Sequence, residues 1–239
     1  MSAPSRSRYA GAGFWASFHL VRNLRRRGTA LWVIGLPLLA GLMRIAFGVP
    51  ADAIGELVLV FLVPLMSLMY GGGVLREEVE DQTLTYGFTR PVDRAGLYLA
   101  RLTAAAGPVL LATVPAAAFA ATSPTHGLRL VVAAILGTAA HATLFGLWGL
   151  LTRRPTWLGL AYVLVWEQSL EKVPGWLANV TLRTQIRNLG HLERQSFGPF
   201  GSADPGPWWL SALVLLAIAG ACVVLAGMIV RRRELVLSR

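Results

Sequence analysis

Apolar residues along this chain fall into long runs separated by short charged stretches, and the length of each run sets the element it forms. A bilayer core ~30 Å thick takes about 20 residues to cross at 1.5 Å per residue. Five runs reach that length: Thr29–Val49, Ile54–Leu75, Leu102–Ala121, Leu128–Leu151 and Trp208–Val230. Another apolar stretch, Thr156–Trp166, is interrupted after eleven residues by Glu167, Gln168, Glu171 and Lys172. Extended over 155–173 it still makes a span, with Glu167 turned toward protein, because a carboxylate at membrane depth needs a partner or water. The pattern predicts an all-α integral membrane protein with six transmembrane helices and one continuous transmembrane domain over residues 1–239.

Two segments have helical periodicity without the length or apolarity of a span. Over residues 8–27, Phe14, Phe18, Val21 and Leu24 recur at helical spacing while Ser17, Arg22 and Arg25 face elsewhere. The segment is too polar for a signal-peptide core and is followed by no small-residue cleavage site, so it predicts an N-terminal amphipathic helix lying in the membrane interface. In region 174–207, Pro174-Gly175 breaks the fifth span, and Trp176–Leu189 mixes apolar and charged positions before a Gly/Pro-rich stretch. Non-spanning backbone at membrane depth is tolerated only when buried in protein or lining a cavity. The expectation is a pair of short re-entrant outer helices between spans five and six. With Trp176 and Leu177 at the interfacial level and Glu167 beneath them, these would form an outer gate.

Composition fixes the class independently: 55% of residues are hydrophobic and 14% charged, and the mean hydropathy is +0.57. The formal charge of +10 then orients the chain, because loop Lys and Arg accumulate on the cytoplasmic side. With six spans and both ends inside, 16 of the 22 basic residues lie inside, among them Arg25–Arg27, Arg76, Arg153-Arg154 and Arg231–Arg233. Omitting the short fifth span would place Arg231–Arg233 outside, so the asymmetry argues for keeping it. The same arginines carry no interleaved aromatic platform, and membrane lipid rather than nucleic acid is the expected partner. The location this predicts is a bacterial cytoplasmic (inner) membrane.

Candidate chemistry is sparse. The single cysteine, Cys222, lies in an apolar run and excludes a disulfide framework. Lys172 is the only lysine and sits between Glu171 and Val173, so no Gly-Lys-Ser/Thr phosphate loop exists and the chain is not expected to bind ATP itself. There is no His-Glu-x-x-His and no Gly-x-Ser-x-Gly. Neither an enzyme nor a metal site is expected. Polar contacts in or near the spans come down to Arg44, Glu56 and His141. Arg44, Asp52 and Glu56 flank the turn at 48–51 and predict an ion pair there, while His141, within the fourth span, is either a hydrogen-bonded neutral histidine or a functional group. Gly71-Gly72-Gly73 ends the second span, where glycines serve either close helix packing or a hinge.

The most distinctive stretch is Arg76–Arg101, REEVEDQTLTYGFTRPVDRAGLYLAR. Glu77, Glu78, Glu80 and Asp81 place four of the twelve acidic residues within five positions of an otherwise basic chain. Such a cluster is either a solvated acidic turn or a site for a basic partner. Glu80, the pair Thr83-Leu84, Tyr86 and Phe88, then Pro91, Asp93, Arg94 and Arg101 follow in an order that resembles the cytoplasmic coupling segment of type-2 ABC exporter permease subunits. The family's usual Gly before the Thr is Gln82 here. Asp93 is expected to cap the helix entering the third span, since Pro91 disfavours helix at Arg90.

The resemblance covers the layout of the whole chain, and its implications go beyond the residues. It implies a coupling helix on which Glu77, Glu78, Glu80, Asp81, Thr83, Leu84, Phe88 and Arg94 dock two separate ATPase subunits. Those partners would hold ATP and Mg, and this chain would bind no cofactor. A second permease copy or a homologue would complete a central path through which a substrate moves outward. The alternative from another class is a non-transporting membrane subunit that transmits force to, or regulates, an envelope partner. Both alternatives use the same docking segment.

Overall fold

A computed structural model describes residues 10–72, 94–152, 154–170, 179–192 and 206–232. Every regular element among them is helical: α1 (Ala10–Leu24), α2 (Arg27–Ile45), α3 (Ala51–Gly71), α4 (Arg94–Ala118), α5 (Pro124–Leu151), α6 (155–170), α7 (Leu182–Gly190) and α8 (Trp208–Arg232). Five of these, α2, α3, α4, α5 and α8, are long and apolar enough to cross a membrane. The sixth expected span, α6, is helical over 155–170 within the described residues and falls short of the ~20 residues a crossing takes.

The helix ends differ from the apolar runs for physical reasons. Apolarity measures what a bilayer accepts, whereas a helix continues wherever the backbone can hydrogen-bond. Thus α4 starts at Arg94, eight residues before the expected Leu102, and carries the polar Arg94 and Arg101 on its first turns. The second span was expected over 54–75, and α3 covers Ala51–Gly71. The first span ends at Ile45 rather than Val49, because Gly48 takes a positive φ of 63° and Pro50 follows. Pro124 begins α5 at its first turn, with Ser123 accepting from the His126 backbone N–H.

The bundle is organised around α5, which packs against α3, α4, α6, α7 and α8. In its most apolar stretch 67% of residues are buried, against 22% for both α2 and α8. Its buried face is built from small residues, including Ala133, Ala134, Gly137, Thr138, Ala140, Ala142 and Gly146. In hydrocarbon there is no hydrophobic drive to bring helices together, so close backbone approach supplies the packing energy. The end of α3 crosses α5 in this way. A Cβ on Gly71 would lie 3.2 Å from the Ala142 carbonyl oxygen, and one on Gly149 would lie 2.9 Å from that of Gly72. These two glycines serve close packing. The outer faces of α2 and α8 expose Leu31, Ile34, Leu38, Leu42, Leu213, Leu216 and Val224.

Both helices that carry a membrane glutamate contain a π-helical stretch. In α3 it runs Glu56–Leu62, closed by Val63 N–H donating to the Val58 carbonyl, with Pro64 next unable to donate. In α6 it runs Tyr162–Trp166, and Glu167 N–H donates to the Tyr162 carbonyl. A wider turn rotates the following side chains relative to an α-helix and often marks a functional position.

Candidate functional site

The polar residues of the bundle gather around α7. Thr181 caps its N-terminus by accepting from Thr184 N–H at 3.2 Å, and His191 ends it in the left-handed conformation at φ 54°. Seven of its nine residues, Leu182, Thr184, Gln185, Ile186, Arg187, Leu189 and Gly190, are buried. The expectation of a helix of about fourteen residues lying at the surface is therefore modified: α7 is shorter and is seated in the bundle, against α5, α8 and the π-helical part of α3. Apolar Leu182, Ile186 and Leu189 join the main core. Ile186 reaches within 2.8 Å of where a Cβ on Gly137 would stand, so a side chain at Gly137 would displace α7.

Polar contacts then tie α7 to three helices. The Arg187 guanidinium grips Glu56 of α3 with both ends of its fork, Nε donating to Oε2 at 2.9 Å and a terminal nitrogen meeting Oε1. Arg183, one turn earlier, donates to the same Oε1 at 3.4 Å. From α5, His126 Nε2 donates to the Gly190 carbonyl at 3.0 Å, while its Nδ1 lies 2.9 Å from the Thr122 hydroxyl. Toward α8, Asn188 donates to the Ser211 hydroxyl at 2.7 Å and to the Gly206 carbonyl at 3.2 Å. Arg129 of α5 stands 6.0 Å over the Trp208 ring at the same end of the molecule. Single cysteines at Val180 and His191, in a chain with Cys222 replaced by Ala, should react readily with a hydrophilic maleimide, and cysteines at Leu182, Ile186 and Leu189 slowly. Equal rates at all five would mean that α7 is not seated.

A second polar cluster lies between α5 and α6. His141 and Glu167 are 0% and 1% exposed, with Nε2 and Oε1 3.5 Å apart. His141 Nδ1 lies 2.9 Å from the Gly137 carbonyl, which can only accept, so Nδ1 carries a hydrogen. Neither Nε2 nor Oε1 has another hydrogen-bond partner among the described residues. With Nδ1 occupied, favourable contact between these two atoms needs one proton held between them, as imidazolium–carboxylate or as imidazole–carboxylic acid. Either form is neutral overall, which lowers the cost of burial. Tyr162, at the start of the π-helical turn, hydrogen-bonds to the Glu167 carboxylate, and Arg183 of α7 lies within its electrostatic reach. A chain of ionisable groups thus runs from Glu56 through the α7 arginines toward Glu167 and His141.

The expected site residues are distributed as follows. Glu56, His141 and Glu167 belong to these clusters. Arg44 is elsewhere: its guanidinium donates to the Val49 carbonyl at 3.2 Å, and the charge partners of Glu56 are Arg183 and Arg187. Arg94 is the first residue of α4. Glu77, Glu78, Glu80, Asp81, Thr83, Leu84 and Phe88, the Asp93 cap, and Trp176 and Leu177 lie outside the described residues. Sequence reasoning missed Arg183, Arg187, His126 and Asn188. The signal available for the first two was their i, i+4 spacing, which sets two cations on one helix face. Among the described residues no group of His, Cys, Asp and Glu is placed to hold a metal.

A different polar site lies at the opposite end of the sequence-defined spans, where α1, the start of α2, the end of α3 and the start of α4 meet around a cavity of about 340 Å³. His19 of α1 is buried there and stacks on Trp15 at 5.5 Å. Burial first, then Arg101 and Arg22, push its pKa down from 6.5 to about 4. A histidine with a lowered folded pKa contributes stability that is full above its unfolded value of 6.5 and is lost as pH falls toward about 4. Thermal unfolding should therefore show falling stability from pH 7 to 5, with a shallower slope in His19→Gln. An unchanged slope would show that His19 is not the group responsible. Searched against protein families and against curated proteins, the chain matches no family model and no curated sequence.

Proposed function

We propose that this chain is the permease subunit of an ATP-driven exporter resembling the type-2 ABC family. In this reading it sits in a bacterial cytoplasmic membrane with both termini inside, and separate ATPase subunits carry ATP and Mg. The observation that carries the reading is the order of residues in the 76–101 segment, together with its attachment points. Met69 and Tyr70 near the end of α3 and Arg101 and Ala105 of α4 share one end of the bundle with the arginine-rich junction of α1 and α2. A connection between them therefore emerges on the side that the positive-inside rule assigns to the cytoplasm. An ATPase bound there would push on α3 and α4, and α5, packed against both, would pass the displacement to α7 at the far end. The seat of α7 on Glu56 makes it the outer gate. The bundle core of one copy is apolar, so a substrate path would lie between two copies, along the exposed faces of α2 and α8.

The test is co-purification. Reversing charge at Glu77, Glu78, Glu80 and Asp81 should abolish recovery of the ATPase with the tagged chain while membrane insertion is unchanged. Undiminished recovery after the quadruple change would remove the docking assignment and, with it, the reading of this chain as an ATPase-coupled permease.

A further inference from the structure

We propose that the cavity between α1, α2, α3 and α4 binds a phosphate-ester anion, the headgroup of an anionic phospholipid. Three arginines, Arg22, Arg26 and Arg101, come to this one cavity from two separated parts of the chain, and none of its lining residues is acidic. Its volume of about 340 Å³ falls within the ~300–1,000 Å³ of typical ligand pockets. Guanidinium forks match phosphate oxygens in pairs, and basic pockets between membrane helices hold anionic headgroups. The lowered pKa of His19 on the same wall reports burial and a positive local potential in the terms an anion would feel.

The surroundings select a lipid. On α1 the side chains facing away from the bundle are Phe14, Phe18 and Val21, which are 65%, 50% and 48% exposed. The apolar stripe of this helix is thus turned outward, opposite to the arrangement in water-soluble proteins, and suits acyl chains. On α2, Thr29 and Trp32 line the cavity, and Leu31, Ile34 and Leu38 are exposed beyond it along the span. A phospholipid whose phosphate enters the cavity therefore has an apolar track for its chains on both sides. The rim is built rather than incidental. Tyr70 donates to the Thr29 hydroxyl at 2.9 Å across the α3–α2 boundary, and Asn23 donates to the Ala104 carbonyl at 3.3 Å across the α1–α4 boundary.

The same arginine run supplies an internal control. Arg22 and Arg26 line the cavity, whereas Arg25 and Arg27 are exposed and do not. Full-length chain in neutral detergent would be titrated with palmitoyl-oleoyl phosphatidylglycerol, with the phosphatidylcholine analogue and with inorganic phosphate, reading thermal shift and retention in native mass spectrometry. Phosphatidylglycerol should be retained and should stabilise, and phosphatidylcholine should do neither. The pair R22Q/R26Q should lower the apparent affinity at least about tenfold, since each lost charge-assisted contact is worth that order. The pair R25Q/R27Q, with the same net charge, should change it by less than about threefold. Equal losses in both pairs would indicate diffuse attraction to a basic surface and overturn the site. Stabilisation by inorganic phosphate as strong as by the lipid would keep the phosphate chemistry and overturn the lipid as its source. If R22Q/R26Q does not fold, the wild-type retention still decides, because equal retention of the two lipids overturns the proposal. Each result is independent of ATPase binding.

Discussion

Replacing Glu56 by Gln should lower the stability of the solubilised chain by about 3 kcal/mol, the low end of the cost of breaking a buried ion pair by removing one partner. The low end applies because Glu56 is 31% exposed, although Arg187 is only 9% exposed. A glutamine at this position would keep a hydrogen-bond acceptor but lose the charge that Arg183 and Arg187 share, and the fork geometry of Arg187 needs two carboxylate oxygens. The discriminating measurement is a double-mutant cycle with Arg187→Gln, read by thermal unfolding. The double variant should be more stable than the sum of the two single losses by at least about 1.5 kcal/mol, since contacting charges couple by roughly 0.5–3 kcal/mol and a close bidentate pair lies in the upper part of that range. Additive losses would mean that Glu56 and Arg187 act separately and that α7 is not held to α3 through them. Maleimide reactivity of a cysteine placed at Ile186 should rise in E56Q if α7 is unseated, giving a readout that global destabilisation below the melting temperature does not produce.

That contact shows where the sequence stopped being legible. The apolar runs are dictated by bilayer thickness, so the five long helices could be placed from residue type alone, within a few residues at most ends. α4 was placed late because Arg94 and Arg101 were treated as a boundary, when a helix runs on into the interface with polar side chains. The partner of Glu56 was sought in Arg44, across a short turn, because proximity in sequence was the only proximity available. Its true partners are more than 120 residues away, and only folding α7 back into the bundle brings them near. The π-helical turns left no trace in sequence. Tyr162–Trp166 reads as an uninterrupted apolar run, and which face Glu167 turns to depends on where the extra residue is accommodated. Glu167 could be expected to face protein because the alternative in lipid is costly, but that argument could not name His141.

Glu167→Ala should cost about 3–5 kcal/mol if His141 carries a positive charge and about 1–3 kcal/mol if it is neutral, because an unpaired buried charge is dearer than an unpaired buried acceptor. The two cases share one proton between Nε2 and Oε1 and are separated by Glu167→Gln. A glutamine amide can donate to a neutral Nε2, so E167Q should unfold within about 1 kcal/mol of wild type in the neutral case and close to E167A in the charged one. The double change H141F/E167M, which exchanges the pair for apolar volume, should be as stable as wild type or more so, since buried pairs are often matched by well-packed apolar groups. If the pair is only structural, ATP-driven turnover of the assembled complex should survive that exchange. If α5 and α6 separate and rejoin here during the cycle, turnover should be lost while stability is kept, because an apolar seam has no single preferred register. Unchanged melting of both E167A and H141A would remove the pair from any role, because 0% and 1% exposure leaves no solvent to replace the lost partner.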